Sequence, residues 1–373
     1  MSVSIKKVES KRDLNTFIKF YISLYTDNSN IAFPLDFDER STLTVGKNPA
    51  HKICESAYWL AYKGDKVVGR IGAIINSNEL KNSDSKIGRF GFFDFIDDFD
   101  VSQALMQTAT NWLKEKNMAQ VHGPFGFTDL DRQGMLVKGF DRLSTMATLY
   151  NYEYYPKHIE KFGFEKSVDW VEYTFKINPE VPEKIQKISK YVQRKYGLRP
   201  LEIKTKKELK QYIPDLFSLI NDTYKDLYGY TTLNKEQIEY YGKNYFGFVK
   251  KELISIIVDK DDAIVGIGVT LPSFTKALQK AKGKLFPFGW YHLLKSLKSN
   301  DILDLYLVAV KEGYRDKGVS VVMIDTLYRE ARDFGIKHIE TNIELEDNVQ
   351  VQSLWKYFDA ELHKRRRCYI KNI

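Results

Sequence analysis

Cysteine is nearly absent: Cys54 and Cys368 are the only two in 373 residues. Two thiols that far apart make neither a disulfide framework nor a cysteine zinc site. No apolar run approaches the roughly 18 residues that would read as a membrane-spanning helix. The opening residues, MSVSIKKVESKRDLNTF, carry no apolar leader stretch, so the expectation is a cytoplasmic protein. What is present is 43% hydrophobic and 14% aromatic residues, enough for real cores, and a length that suits two domains. The net charge of +8 is uneven. Residues 1–180 hold 23 Lys and Arg against 24 Asp and Glu, and residues 181–373 hold 34 against 25. The basic second half would attract a polyanion, although ordinary solubility charge explains the same count.

The chain is organised around Asp301 to Phe334. Leu303 to Val310 is an apolar run that reads as a buried strand. Lys311 to Gly318 interrupts it with two glycines and five charges. From Val319 a helical period places Val321, Ile324, Leu327 or Tyr328, Ala331 and Phe334 on one face, and Gly335 ends it. A helix start behind a short loop presents unpaired N–H groups and positive potential, which suits a phosphate. Gly318 would let a ligand approach the backbone, and Arg315 and Lys317 add charge. The loop lacks both the Gly-Lys-Ser/Thr ending of a nucleotide P-loop and the three glycines of a dinucleotide fingerprint. A plain strand-to-helix turn with solvated charges is the competing reading.

Tyr314-Arg315-Asp316-Lys317-Gly318-Val319-Ser320 resembles the acyl-CoA pyrophosphate loop of the GCN5-related N-acetyltransferases, Arg/Gln-x-x-Gly-x-Gly/Ala. Arg315 and Gly318 take the first two fixed positions, and Ser320 replaces the last small residue. The resemblance implies a mixed α/β (α+β) fold, with a mainly antiparallel central sheet flanked by helices. It implies acyl-CoA held by Val308, Ala309, Val310, Arg315, Asp316, Lys317, Gly318, Val319, Ser320 and Asn348, with a backbone N–H near Val308 to Val310 receiving the thioester oxygen. No metal is expected. The family's tyrosine acid is replaced by Trp355, seven residues after Asn348; Tyr357 stands two positions on, and Asp359-Ala360 replaces the usual glycine. Glu344, Glu346 and Asp304 are candidate bases for removing the amine proton. Charge and capping at a helix start account equally well for the acids that precede Asn348.

The first half has the same order of elements. Ala57 to Tyr62 and Val67 to Ile75 read as a hairpin around Gly64-Asp65. Ile87 to Phe95 is a Phe-rich strand, and Val101 to Lys116 a helix. Asp97, Asp98 and Asp100 stand where a pyrophosphate loop would lie, and would repel phosphate. Tyr155 to Phe164 resembles the family's closing segment. The expected domains are therefore residues 1–178, without a pyrophosphate loop, a linker and helix over 179–197, and residues 198–373 with the acyl-CoA loop. Gly123 to Asp141 reads either as a substrate loop, in which carboxylates meet an amine, or as an internally bonded structural loop; Asp129, Asp131 and Arg132 within it and Tyr152 after it are the substrate-binding candidates. This stretch and the Tyr-rich segment after it resemble a bacterial tandem subfamily of YghO-like proteins.

In the second half, Lys206 to Leu227 is mostly helical and broken near Pro214, and Leu253 to Leu271 is a second hairpin. An aromatic insertion, Phe274 to Lys298, follows; it reads as core or as the lining of an acyl pocket. Lys364 to Arg367 is a basic run, read as a solvated edge or as a contact for a CoA phosphate or RNA. Together these features point to an acyl-CoA-dependent N-acyltransferase, acetyl transfer to the amine of a small molecule or peptide being the first expectation. Two alternatives stand beside it. One is an aminoacyl-tRNA-dependent transferase on the same tandem fold, with nucleic acid as a partner. The other is a non-catalytic acyl- or small-molecule-binding protein.

Overall fold

The computed structural model describes residues 2–82 and 86–373. Its first part runs β1 (Val3–Lys7), α1 (Lys11–Leu24), α2 (Asp36–Leu43), β2 (Cys54–Lys63), β3 (Lys66–Asn76), α3 (Ser77–Asn82), β4 (Ile87–Phe95), α4 (Phe99–Glu115), β5 (Gln120–Gly123), β6 (Met135–Lys138), α5 (Tyr154–Lys161) and β7 (Glu165–Lys176). There follow α6 (Glu183–Tyr196), β8 (Arg199–Pro200), α7 (Lys206–Gln211), α8 (Ile213–Tyr224), α9 (Lys235–Tyr245), β9 (Ile254–Val258), β10 (Ile264–Pro272), α10 (Thr275–Ala281) and α11 (Gly289–Lys298). The chain ends with β11 (Ile302–Val310), α12 (Val319–Asp333), β12 (His338–Thr341), β13 (Glu344–Leu345), α13 (Val349–Trp355) and β14 (Glu361–Asn372). Most of these lie within a few residues of the sequence reading, because the cause is local. Gly64, at φ +60°, turns the first hairpin. Pro214 sits in the first turn of α8, where its missing N–H costs nothing. Gly335, at φ +88°, follows the end of α12.

The chain forms two compact units, and neither is continuous. The first holds residues 1–171, 274–293 and 364–373; the second holds 172–273 and 294–363. In the first unit β1, β2, β3 and β4 pair antiparallel in turn, β4 pairs parallel with β5, and β5 pairs antiparallel with the end of β14. In the second unit β8, β9, β10 and β11 pair antiparallel, β11 pairs parallel with β12, and β12 pairs antiparallel with the end of β7. The two units repeat one strand plan. The sequence reading closed each half with its own last strand, at residues 178 and 373. The contacts instead give the last residues of the chain to the first unit, and Glu172–Lys176 of β7 to the second.

Each unit has its own core. In the first, Trp59, Ile71, Phe90, Phe95, Leu105, Ala109 and Tyr369 are buried together between the sheet and α4. In the second, Leu303, Leu305, Val319, Val322, Leu327, Ile339 and Trp355 gather around α12. The insertion read as one aromatic stretch is two short helices, α10 and α11. The basic run is neither a solvated edge nor a free anion contact. Arg365 and Arg367 donate to the buried carboxylate of Asp169, and the fully buried Lys364 and Arg366 donate to the carbonyls of Leu143 and Leu149.

Candidate donor site and its surroundings

In the second unit, β11 and β12 pair from Ile302–His338 to Leu305–Thr341, and there the ladder stops. Asn342 extends it by one step, its N–H donating to the Leu305 carbonyl (2.9 Å) and its Nδ2 to that of Tyr306 (3.2 Å). On the other side of β11 the register to β10 shifts between Leu305 and Leu307, so Tyr306 is the extra residue of a bulge. A bulge bends its strand, and bulges gather next to functional sites. β11 therefore runs on to Val310 with its outer edge no longer matched by β12.

Side chains of α8 meet that edge. The Tyr224 hydroxyl donates to the Val308 carbonyl (2.9 Å) and accepts from the Val308 N–H (3.4 Å). Thr223 Oγ1 donates to the Val310 carbonyl (3.5 Å). Sequence reasoning pointed to the backbone near Val308 but missed Tyr224. The one available signal was a tyrosine closing a helix that precedes a hairpin, which is too weak to single out.

Beyond Val310 the loop leads into α12. Tyr314 donates to Asp259 (2.7 Å), and Lys317 stands 4.1 Å from the centre of the Tyr314 ring. Arg315 is exposed and donates to the Thr223 carbonyl (3.3 Å), while Gln350 donates to Asp316 (3.4 Å). Gly318 takes the N-cap position at φ +72°, with no side-chain cap and no acidic residue in the first turn. A Cβ at Gly318 would fall 2.9 Å from Val192 Cγ2, so this glycine also answers a packing need against α6. Val319 is buried and Ser320 half-buried. Asn348 caps α13 by accepting from the Val351 N–H (3.4 Å).

The first unit closes both features. Its parallel ladder stops at Arg89–His122. The Phe125 N–H then donates to the Phe90 carbonyl (2.9 Å), and the Phe125 carbonyl presses on Gly91 where no Cβ would fit. The start of α4 is capped by Asp98, which accepts from the Val101 N–H (3.3 Å) and pairs with Lys63. One gap is filled by the chain's own backbone, and one helix start by a carboxylate.

Leu303 and Leu305 face α12, so by alternation Asp304 faces the other side of the sheet. Glu340 pairs with it in register, and both are buried. Burial pushes the Tyr306 phenol well above its usual range, and Asp304, Tyr245 and Glu340 push it further, which places these four groups together. Glu172, Glu340 and His363 bring one ligand atom each within 4.8 Å of one another, and among the described residues these three have the geometry to hold a metal ion. Glu344 has a partner of its own. Trp355 Nε1 donates to both of its oxygens (2.9 and 3.0 Å), and burial pushes its carboxyl up to about 8. Trp355 is buried and stacks on Phe175. Glu346 is half-buried just before α13, and the Tyr357 ring lies under Lys184 at 4.8 Å.

The four acceptor candidates of the first unit are all in internal bonds. Asp131 accepts from the Phe127 and Thr128 N–H groups (2.7 and 3.0 Å), and Asp129 accepts from Gln133 (2.9 Å). Arg132 pairs with Glu39, and Tyr152 donates to the Leu24 carbonyl (3.2 Å). Such bonds are of the kind the structural-loop reading expects.

No family model matches the chain. Protein YghO of Escherichia coli K12 is 30% identical over 377 residues, covering 98% of this chain and 94% of that protein. The bacterial ceramide synthase of Caulobacter vibrioides is 25% identical over 379 residues, covering 100% of this chain and 98% of that one. Among solved structures, a tandem GNAT protein from the clavulanic acid biosynthesis pathway superposes with a TM-score of 0.58 at 11% identity, covering 100% of this chain and 98% of that one. A GCN5-related N-acetyltransferase from Sphaerobacter thermophilus gives 0.55 at 9% identity, covering 99% and 95%. With one strand plan in each unit and a relative matched along almost its whole length, the chain belongs to the YghO family, and it shares the fold of tandem GCN5-related N-acetyltransferase structures.

Proposed function

We propose that the chain is an acyl-CoA-dependent N-acyltransferase whose donor site lies in the second unit. The observation that carries this reading is the edge of β11 beyond the bulge, which runs straight to the uncapped start of α12. The CoA arm bears amides, which suit the backbone edge of Val308 and Val310. Its pyrophosphate suits the first N–H groups of α12, with Arg315 and Lys317 beside them. The donor displaces the Tyr224 hydroxyl from Val308 as it binds.

In the reaction the acceptor nitrogen attacks the thioester carbon, and the Val308 N–H stabilises the oxyanion. The C–S bond then breaks. The proton from nitrogen passes to a carboxylate of the Asp304 and Glu340 face. The departing thiolate takes the proton of Tyr224, which fills the role left open by Trp355. Glu344, already bonded to Trp355, takes no part in this scheme.

The name of the Caulobacter relative directs the choice of substrates. Ceramide is an N-acylated long-chain amino alcohol, so long-chain acyl donors and amino alcohols belong in the screen beside acetyl-CoA and small amines. The test is calorimetric titration with CoA, acetyl-CoA and palmitoyl-CoA, followed by thiol release with each acceptor class. Binding together with amine-dependent thiol release is expected. Binding without release under any pairing would leave a carrier or sensor. No binding to any of the three would overturn the site, and charged tRNA would be the next ligand to test.

A further inference from the structure

Phe274 to Lys298 contains six lysines and no aspartate or glutamate. Residues 274–293 belong to the first unit, and their buried side is anchored there. Phe274, Ala277, Leu278 and Ala281 are buried, Thr275 donates to the Ser144 carbonyl (2.7 Å), and the Asp36 N–H donates to the Gly283 carbonyl (2.8 Å). A Cβ at Gly283 would collide with Ile22 and Asp36, which shows how closely the turn after α10 is seated.

The other side points to water. Phe286 is 74% exposed, Phe288 68%, Tyr291 51% and Trp290 44%. Among the described residues, half of the exposed large apolar side chains fall between Phe286 and Leu294. Lys276, Lys280, Lys282 and Lys284 of the same unit are exposed as well. Isolated apolar side chains on a surface need no explanation, but a cluster of this size does.

Large aromatics and lysines, with no acid in the segment itself, form the composition of an interfacial membrane anchor. The rings enter the boundary between headgroup and acyl chain, and the ammonium groups meet anionic headgroups. We infer that α10, the turn after it and the first turn of α11 dock the protein on an anionic lipid bilayer. A duplex would answer the lysines and leave the rings in water; a single strand, whose bases stack on aromatic rings, is separated from a bilayer by the test below. The inference does not depend on the transferase reading, because vesicle binding is measured without turnover.

The test uses the full chain in co-sedimentation with phosphatidylcholine vesicles, with and without phosphatidylglycerol. The wild type is expected to bind the mixed vesicles and to release them as salt rises. The triple variant Phe286→Ser/Phe288→Ser/Trp290→Ser should bind at least about tenfold more weakly. Its circular dichroism melt should be unchanged, since those side chains are exposed. Lys280→Gln/Lys282→Gln/Lys284→Gln should also lose at least about tenfold on mixed vesicles, on the usual contribution of a cation near an anionic surface. The inference is overturned if the wild type sediments with neither vesicle, or if the aromatic variant binds as well as the wild type. It is equally overturned if the patch instead drives self-association or RNA binding with no vesicle binding.

Discussion

Tyr224 holds both edge groups of Val308 with one hydroxyl, so its loss separates two roles. If the hydroxyl protonates the leaving thiolate, Tyr224→Phe should lower kcat by about a hundredfold. Calorimetric affinity for acyl-CoA should stay the same or tighten, because the edge is freed. Unchanged thiol release in this variant would remove Tyr224 from the chemistry. Glu344 makes a different prediction. Its carboxyl is pushed up to about 8 by burial, so the folded state holds its proton where the unfolded chain has released it. That favours folding at low pH, and the benefit is lost as pH rises from the ordinary carboxyl range through about 8. The melting temperature of the wild type should therefore fall more between pH 5 and pH 9 than that of Glu344→Gln (ordinary titration windows, ~5 to ~9). Equal slopes would mean that Glu344 ionises freely. In the first unit the sign reverses. Glu79 lies 2.7 Å from the fully buried Arg89 and is held down at about 2. Its stabilisation is present above the ordinary carboxyl range and is lost as pH falls toward 2. Removing it takes the paired carboxylate away from a buried guanidinium, so Glu79→Ala should cost about 3–5 kcal/mol in chemical denaturation.

At the scale of elements, the two helix starts behave oppositely because their first turns differ. α4 begins under the carboxylate of Asp98, which Lys63 holds below its usual range. α12 begins with Gly318 and no carboxylate. Arg315→Ala/Lys317→Ala should weaken CoA binding by about tenfold or more, as loss of charge-assisted contacts does, and leave the thermal melt in place. Equal affinity in this variant would sink the pyrophosphate assignment. Gly318→Ala is the wrong probe. A residue with a Cβ is strained at φ +72° and would press on Val192, so it should lose about 1 kcal/mol of stability or more whatever the ligand does. The sequence reading assigned this glycine to ligand approach. The competing demand came from α6, more than a hundred residues earlier, and no local pattern reveals it.

At the scale of the whole molecule, the discontinuous units make the C-terminal strand a part of the first unit. Tyr369 to Asn372 pair with β5, Arg365 to Arg367 pair with β6, and Asp169 holds two of the arginines. A chain ending at His363 should open the first unit to protease while unit-two peptides stay protected in hydrogen exchange. Loss of protection confined to the second unit would contradict this assignment.

The local elements were legible from the sequence, since hairpins, helix periods, caps and the strand-loop-helix of residues 301–334 follow from neighbours a few positions apart. So was the contrast between the two helix starts, because three aspartates stand just before or within the first turn of α4 and the first turn of α12 has none. The tertiary structure alone decided which sheet each final strand joins, because the local pattern of a strand does not name the edge it pairs with. It also decided that Phe125 fills one gap while Tyr224 reaches into the other. Last, it decided that the basic run turns inward to Asp169, while the aromatic insertion turns outward. Each of these depends on partners distant in the chain, and burial, unlike periodicity, is a property of the assembled fold.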